Sequence, residues 1–171
     1  MQSPPVKSRS KNATRRPTDT EVEAVRSLAR AARLLERASG DLGLAHYRVL
    51  SAIAGGEDRA SRVAERFELG RPTVSAAVDV LCRGGLIERV EVATDQRAVE
   101  LRLTRRGRDT LEAVETEMVR IIDDLCGRFP SLAAAPDVLA TLGQALDART
   151  DERHALPRAD RPATRGAGAP P

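Results

Sequence analysis

What most constrains this chain is where its hydrophobic period breaks and where it changes. Glycines at Gly40, Gly43, Gly55-Gly56, Gly70 and Gly84-Gly85 cut the middle of the sequence into short segments. A glycine just past a run of apolar residues at three- and four-residue steps is a helix stop. Leu44 to Ala54 makes one such helix. A short one follows over about Ser61 to Phe67, with Val63, Ala64 and Phe67 inward. The next begins at about Arg71-Pro72 and buries Val74, Ala77, Val78 and Leu81. Proline near its start costs little, because first-turn amides lack intrahelical acceptors. After Gly85 the period falls to two. Leu86 to Val92 and Ala98 to Leu103 are rich in β-branched residues and partly alternate, with the polar turn Ala93 to Arg97 between them. That pattern predicts a β-hairpin.

Helices flank this middle. Thr20 followed by Glu23 has the form of a capping box, and Val22, Val25, Leu28, Ala32 and Leu35 recur at helical spacing behind it. Beyond the hairpin, Thr104 caps a long helix with Leu111, Val114, Met118, Ile121, Ile122 and Leu125 on one face, ended by Pro130. A last helix starts near Pro136-Asp137 and carries Val138, Leu139, Leu142 and Leu146. Residues 1–18 are Ser-, Pro- and Arg-rich, and residues 150–171 end in PRADRPATRGAGAPP. Neither end has the apolar content to bury a core, so both are expected to be disordered. The expected organisation is one domain over residues 19–149. Its lobe at 44–103 lies between helical segments at 19–39 and 104–149, a mainly α fold with a small β-wing.

Composition removes several functions. With no Trp and only Tyr47, Phe67 and Phe129 as aromatics, the chain cannot offer a stacking platform for single-stranded bases. Two cysteines 44 positions apart make neither a disulfide framework nor a zinc site, so no metal is expected. There is no Cys/His or Ser/His/Asp constellation and no phosphate-cradling glycine loop. Hence no catalytic residue, no cofactor and no enzymatic activity is expected. No run approaches the ~18 apolar residues of a membrane span, and no apolar signal segment follows the basic N-terminus. The cytoplasm is the expected compartment, without a membrane partner.

Charge is unevenly placed. Of 28 Lys and Arg, five (Lys7, Arg9, Lys11, Arg15 and Arg16) lie in residues 1–18 beside no acid, leaving 23 cations against 25 acids elsewhere. The arm therefore holds +5 on a slightly acidic body. Such an arm is either simply solvated or tracks phosphates without choosing sequence.

A short helix, a tight turn, a second helix and a hairpin make a winged helix-turn-helix. In duplex DNA readers the second helix enters the major groove, while a wing reaches the minor groove or backbone. The same arrangement also serves as a protein-interaction module, so both classes stay open on the pattern alone. The residues themselves resemble the MarR family of bacterial transcriptional regulators over about Glu21 to Asp147. The likeness is carried by Gly70-Arg71-Pro72-Thr73-Val74-Ser75, by Gly85-Leu86-Ile87-Glu88-Arg89, and by Asp95-Gln96-Arg97 followed by Leu103-Thr104 and Gly107.

The resemblance implies that Arg71, Pro72, Thr73, Ser75 and Ala76 face the major groove. It also implies that Asp95 braces the wing turn and that Arg97 enters the minor groove, where narrow A·T-rich tracts attract Arg. The residues' own chemistry leaves a plainer alternative for some of them: helix capping for Thr73 and Ser75, a surface ion pair for Arg97. The resemblance further implies a homodimer paired through the first and last helices, set on a pseudo-palindromic operator in double-stranded DNA. Repression is the family's commoner mode. A small aromatic or anionic effector is implied too, with His46, Tyr47 and Arg48 as candidates beside the plain alternative of packing. Cys82 and Cys126 read as inert small apolar residues.

Three departures each remove a DNA contact common in the family. Ala76 stands where a cation is usual, Gly70 where Ser is common, and Gln96 where a second wing cation often lies. With ten Arg against nine acids from Glu57 to Arg106, the lobe is expected to bind modestly and with a shallow salt slope. If the arm tracks phosphates, deleting residues 1–18 weakens binding to all duplexes alike and flattens the dependence of affinity on salt. Anisotropy titrations over a NaCl series measure both; a loss confined to one specific sequence would contradict a phosphate-tracking arm.

Overall fold

The computed structural model describes residues 15–92 and 95–155, with the side chains of 92–98 and 154–155 outside the described set. Helix α1 spans Asp19–Ala38. Its capping box lies two residues earlier than the Thr20–Glu23 pattern. The Thr18 amide donates to the Glu21 carboxylate at 2.7 Å, and the Glu21 amide donates back to Thr18 Oγ1 at 3.3 Å. The sequence offers two overlapping Thr-x-x-Glu registers, and the earlier one also brings Arg15 onto Glu21. The Thr18 backbone amide, then the Thr18 hydroxyl and Arg15, hold the Glu21 carboxyl below its ordinary range. No residue of α1 is buried.

From α2 (Gly43–Ala54) through α3 (Ala60–Arg66) and α4 (Arg71–Arg83), the helices run between the expected stops. They close on one core. Leu50, Val63, Val74, Val78 and Leu81 are sealed from solvent, joined by Ile87 and Leu101 from the hairpin and Leu111 from the long helix. The C-terminus of α4 is closed by backbone geometry. Gly85 takes φ +67°, and the Leu86 amide donates back to the Leu81 carbonyl at 3.0 Å. An L side chain at that φ costs about 1–2 kcal/mol, which is why glycine stands there.

Strands β1 (Ile87–Val92) and β2 (Asp95–Leu103) pair antiparallel, with Ile87 opposite Leu103 and Glu91 opposite Val99. β2 starts at Asp95, so the expected five-residue turn is too long; Ala93 and Thr94 lie outside the described residues. Polarity misled because it marks exposure, and a strand protruding beyond the core needs no apolar face. The register is irregular there, shifting between Glu91 and Val92. At the other end the sheet is anchored: the Leu101 amide donates to the Asp58 carbonyl, in the loop before α3, at 2.7 Å.

Thr104 caps α5 (Arg105–Gly127) as expected, its Oγ1 accepting from the Gly107 amide at 3.0 Å. The same hydroxyl donates to the Gly85 carbonyl at 2.7 Å. Gly107 is buried against Leu86 so closely that a Cβ added to it would lie 1.9 Å from the Leu86 carbonyl oxygen.

Helix α6 (Ala135–Ala155) continues past residue 150, where the tail was expected to begin. The proline-rich composition starts only at Pro157, and an ion pair from Arg153 to Glu68 fastens the last turns to the end of α3. Residues 156–171, like residues 1–14 of the expected arm, lie outside the described residues. No helix among the described residues is long and apolar enough to cross a membrane.

Gly107→Ala must push the α5 N-terminus off Leu86, an overpacking cost of about 2–3 kcal/mol. Gly127→Ala, whose Cβ meets nothing within 4 Å, serves as the control and leaves stability unchanged or slightly raised. Urea denaturation of the two variants separates them, and equal midpoints would refute the close contact.

Candidate nucleic-acid interface

The exposed face of α4 begins at its first residue. Gly70 is the N-cap, in extended conformation with φ −62° and ψ 138°, and no side chain caps the helix. Pro72 stands in the first turn, where its missing amide costs nothing. Three-and-four spacing then turns Val74, Val78 and Leu81 into the core. The same geometry turns Arg71, Pro72, Thr73, Ser75 and Ala76 outward, and all five are exposed. The residues expected at the major groove therefore share one solvent-facing surface on the first two turns. Thr73 and Ser75 make no capping hydrogen bond to the start of α4, so among the described residues their hydroxyls are not committed to its N-terminus.

Beside this face the hairpin is held by a contact that sequence spacing did not signal. Arg89 on β1 donates to the Asp79 carboxylate on α4 at 2.6 Å, and this hydrogen bond raises the Arg89 guanidinium pKa above its ordinary value. The two residues are ten apart on different elements, so no helical or strand periodicity pairs them. Their exposed ion pair reinforces the placement of α4 against β1. It also neutralises the one acid on α4.

The turn preceding α4 is unusual. Glu68 adopts φ +52°, a left-handed conformation commonly given to glycine, and the Leu69 amide closes α3 by donating to the Ala64 carbonyl at 2.9 Å. Arg153 of α6 pairs with the Glu68 carboxylate and holds it below the ordinary carboxylate range. At the α3 terminus, Arg66 bridges Glu57 at 3.6 Å and Asp147 of α6 at 3.2 Å.

Asp95 and Arg97 lie on the backbone of β2, but their side chains fall outside the described residues. His46, Tyr47 and Arg48 are half-buried on α2. As consecutive helical residues they diverge by about 100° each and do not converge on one point. His46 Nδ1 lies 2.9 Å from the Leu42 carbonyl, and Tyr47 packs against the core. Burial, then the charge of Glu115, raises the Tyr47 phenol pKa. A cleft of about 530 Å³ lies elsewhere, lined by Ser39, Leu42, Arg106, Thr110, Val114 and Glu117 among others. Among the described residues no group of three or more His, Cys, Asp and Glu is placed to hold a metal ion. Cys82 and Cys126 are free and half-buried.

Residues 40–98 match the family model MarR_2, described as MarR family. By structure the chain is similar to AbsC, a MarR family transcriptional regulator from Streptomyces coelicolor: 25% identity, TM-score 0.57, covering 84% of this chain and all of that one. It is similar also to the YusO protein from Bacillus subtilis, at 22% identity and TM-score 0.58 over 74% of this chain and 94% of the other. The PcaV transcriptional regulator from Streptomyces coelicolor, solved in complex with its natural ligand, has 24% identity and TM-score 0.56, with the same coverage. No curated protein matches the chain by sequence.

The uncapped start of α4 generates a prediction. A Cβ on Gly70 would make only ordinary contacts, 3.7 Å to Thr73 Oγ1 and 3.8 Å to the Pro72 ring. Gly70→Ser therefore gains a cap and loses unfolded-state freedom, raising stability by about 0.5–1 kcal/mol. A lower denaturation midpoint would show that the N-cap geometry is wrong.

Proposed function

We propose, from the match of residues 40–98 to the MarR family model and the likeness to MarR family regulators of known structure, that the chain is a sequence-specific reader of double-stranded DNA rather than an enzyme. In this reading it is a ligand-responsive repressor in the cytoplasm, acting as a homodimer on a pseudo-palindromic operator. The observation that carries it is the outer face of α4: Arg71, Thr73, Ser75 and Ala76 are exposed together at the start of a helix whose opposite side is core. Arg71 is suited to bidentate contact with guanine, while the hydroxyls serve bases or phosphates. Arg97 takes the minor-groove role at the wing and Asp95 braces its turn. The Asp79–Arg89 pair supports the placement of helix and wing.

Dimerisation is supported by apolar surface that the C-terminal elements leave in water. Phe129, Val138, Leu139, Leu142 and Leu146 are all exposed. Such a concentration marks a protein contact more often than a free surface. Two copies joined there present two α4 helices to half-sites about 10 bp apart. For the effector, a small aromatic or anionic compound, support comes from the ligand-bound PcaV relative and from the cleft between the Ser39–Leu42 turn and α5. His46, Tyr47 and Arg48 do not line this cleft, so in this reading the compound's contacts come from the cleft's own lining, Arg106 among them.

Selection of bound duplexes from a random pool tests the core of the reading. It is expected to recover two related half-sites bound by a dimer. Arg71→Ala and Arg97→Ala each weaken the recovered duplex about tenfold or more in a gel-shift titration. A pool that yields no enriched duplex would leave a protein-interaction module and overturn the proposal.

A further inference from the structure

Resting on that DNA-reading role, we infer that α4 recognises thymine by its 5-methyl group, and does not read adenine by a bidentate hydrogen-bonded contact. The helix is RPTVSAAVDVLCR: it contains no Asn or Gln, the side chains that make the bidentate adenine contact. Its one acid, Asp79, is held by Arg89 and so is not free to accept from cytosine. Arg71 can read guanine. For an A·T pair the first two turns offer only hydroxyls, which serve any base, and small apolar side chains, which suit the thymine methyl.

Those apolar side chains are placed for it. Pro72 and Ala76 are four residues apart on one line of the helix, and both are exposed on the side away from Val74 and Val78. Val80, 43% exposed, extends the strip by another turn. Ala76 is short enough to let the helix backbone approach the groove floor. Arg71 and Ala76 are five residues apart, about 7.5 Å along the axis, or roughly two base-pair steps of ~3.4 Å. Each half-site thus carries a guanine for Arg71 and, about two base pairs away, a thymine under Ala76.

The test uses the full chain and the duplex it selects from a random pool, resynthesised with one thymine at a time replaced by deoxyuridine. At one position per half-site, loss of the methyl weakens binding about fourfold, the fold-change of one buried methyl group. Replacing adenines by 7-deazaadenine, which removes the N7 acceptor, changes binding less than twofold. In Ala76→Ser, an exposed substitution outside the core, the same thymine-to-uracil change costs less than twofold. Equal binding of thymine and uracil duplexes overturns this inference and leaves the regulator reading standing. So does a full uracil effect retained in Ala76→Ser. Failure to select any duplex overturns both.

Discussion

The Leu86 carbonyl accepts the Thr104 amide at 3.1 Å, while the Leu86 amide donates to Leu81 at 3.0 Å, so one residue joins the end of α4 to the start of α5. Gly107 lets the first turn of α5 settle directly onto it, and the Thr104 hydroxyl ties the same point to Gly85. Both wing strands leave from this junction, with Ile87 paired to Leu103. The angle between recognition helix and wing is therefore set by main-chain hydrogen bonds rather than by long side chains. That matters because a groove reader must present two tips at once. Several main-chain bonds meeting at a half-buried junction, backed by buried Leu81, Ile87 and Gly107, leave little freedom to drift, whereas an exposed pair such as Asp79–Arg89 can only reinforce what they fix.

Electrostatics follow from the same economy of parts. Part of the positive charge of the lobe is already committed: Arg66 to Glu57 and Asp147, Arg89 to Asp79, Arg102 to Glu100. Among the described residues Arg71 has no acidic partner within salt-bridge distance. The lobe thus has a weak long-range field with a free cation at the N-terminus of the recognition helix. In the proposed DNA-reading role such a surface gains less from counterion release than a broadly basic one, and contacts to base edges would carry more of the discrimination.

How much of this could be read from the residues depends on whether each signal was local. The helix stops at Gly55, Gly70 and Gly84-Gly85 were readable because a glycine past an apolar run acts on its own few residues. The outer face of α4 was readable because 3.6-residue periodicity fixes one face once the other is buried. The capping box of α1 was placed two residues late because two registers satisfy the same pattern, and only hydrogen bonding chooses between them. The end of α6 depends on Arg153 reaching Glu68, 85 positions earlier, and no local pattern encodes that. Glu68 itself bends the turn into α4 with a left-handed φ that a glycine rule cannot foresee. At the candidate site, Arg71, Pro72, Thr73, Ser75 and Ala76 are exposed together on the outer face of α4. Consecutive placement of His46, Tyr47 and Arg48 suggested a cluster, but helical geometry separates them.

The contacts of α6 limit how strongly a C-terminal event can be felt at α4. Its polar links to the helix-turn-helix are Arg66–Asp147 and Arg153–Glu68, and all four side chains are at least a quarter exposed. An exposed ion pair contributes about 0–1 kcal/mol. A movement of α6 that breaks one pair therefore shifts the balance of lobe orientations by roughly fivefold at most, the low end of ordinary allosteric coupling. Larger responses require a route that does not depend on these pairs. The Leu86 junction offers one, because α5 enters it directly. A rotation of α5 would press Gly107, which has no room for a Cβ beside the Leu86 carbonyl, against the residue that closes α4, without any surface charge as intermediary. Stiff transmission of this kind passes through backbone in van der Waals contact, so it persists at salt concentrations that screen the α6 ion pairs.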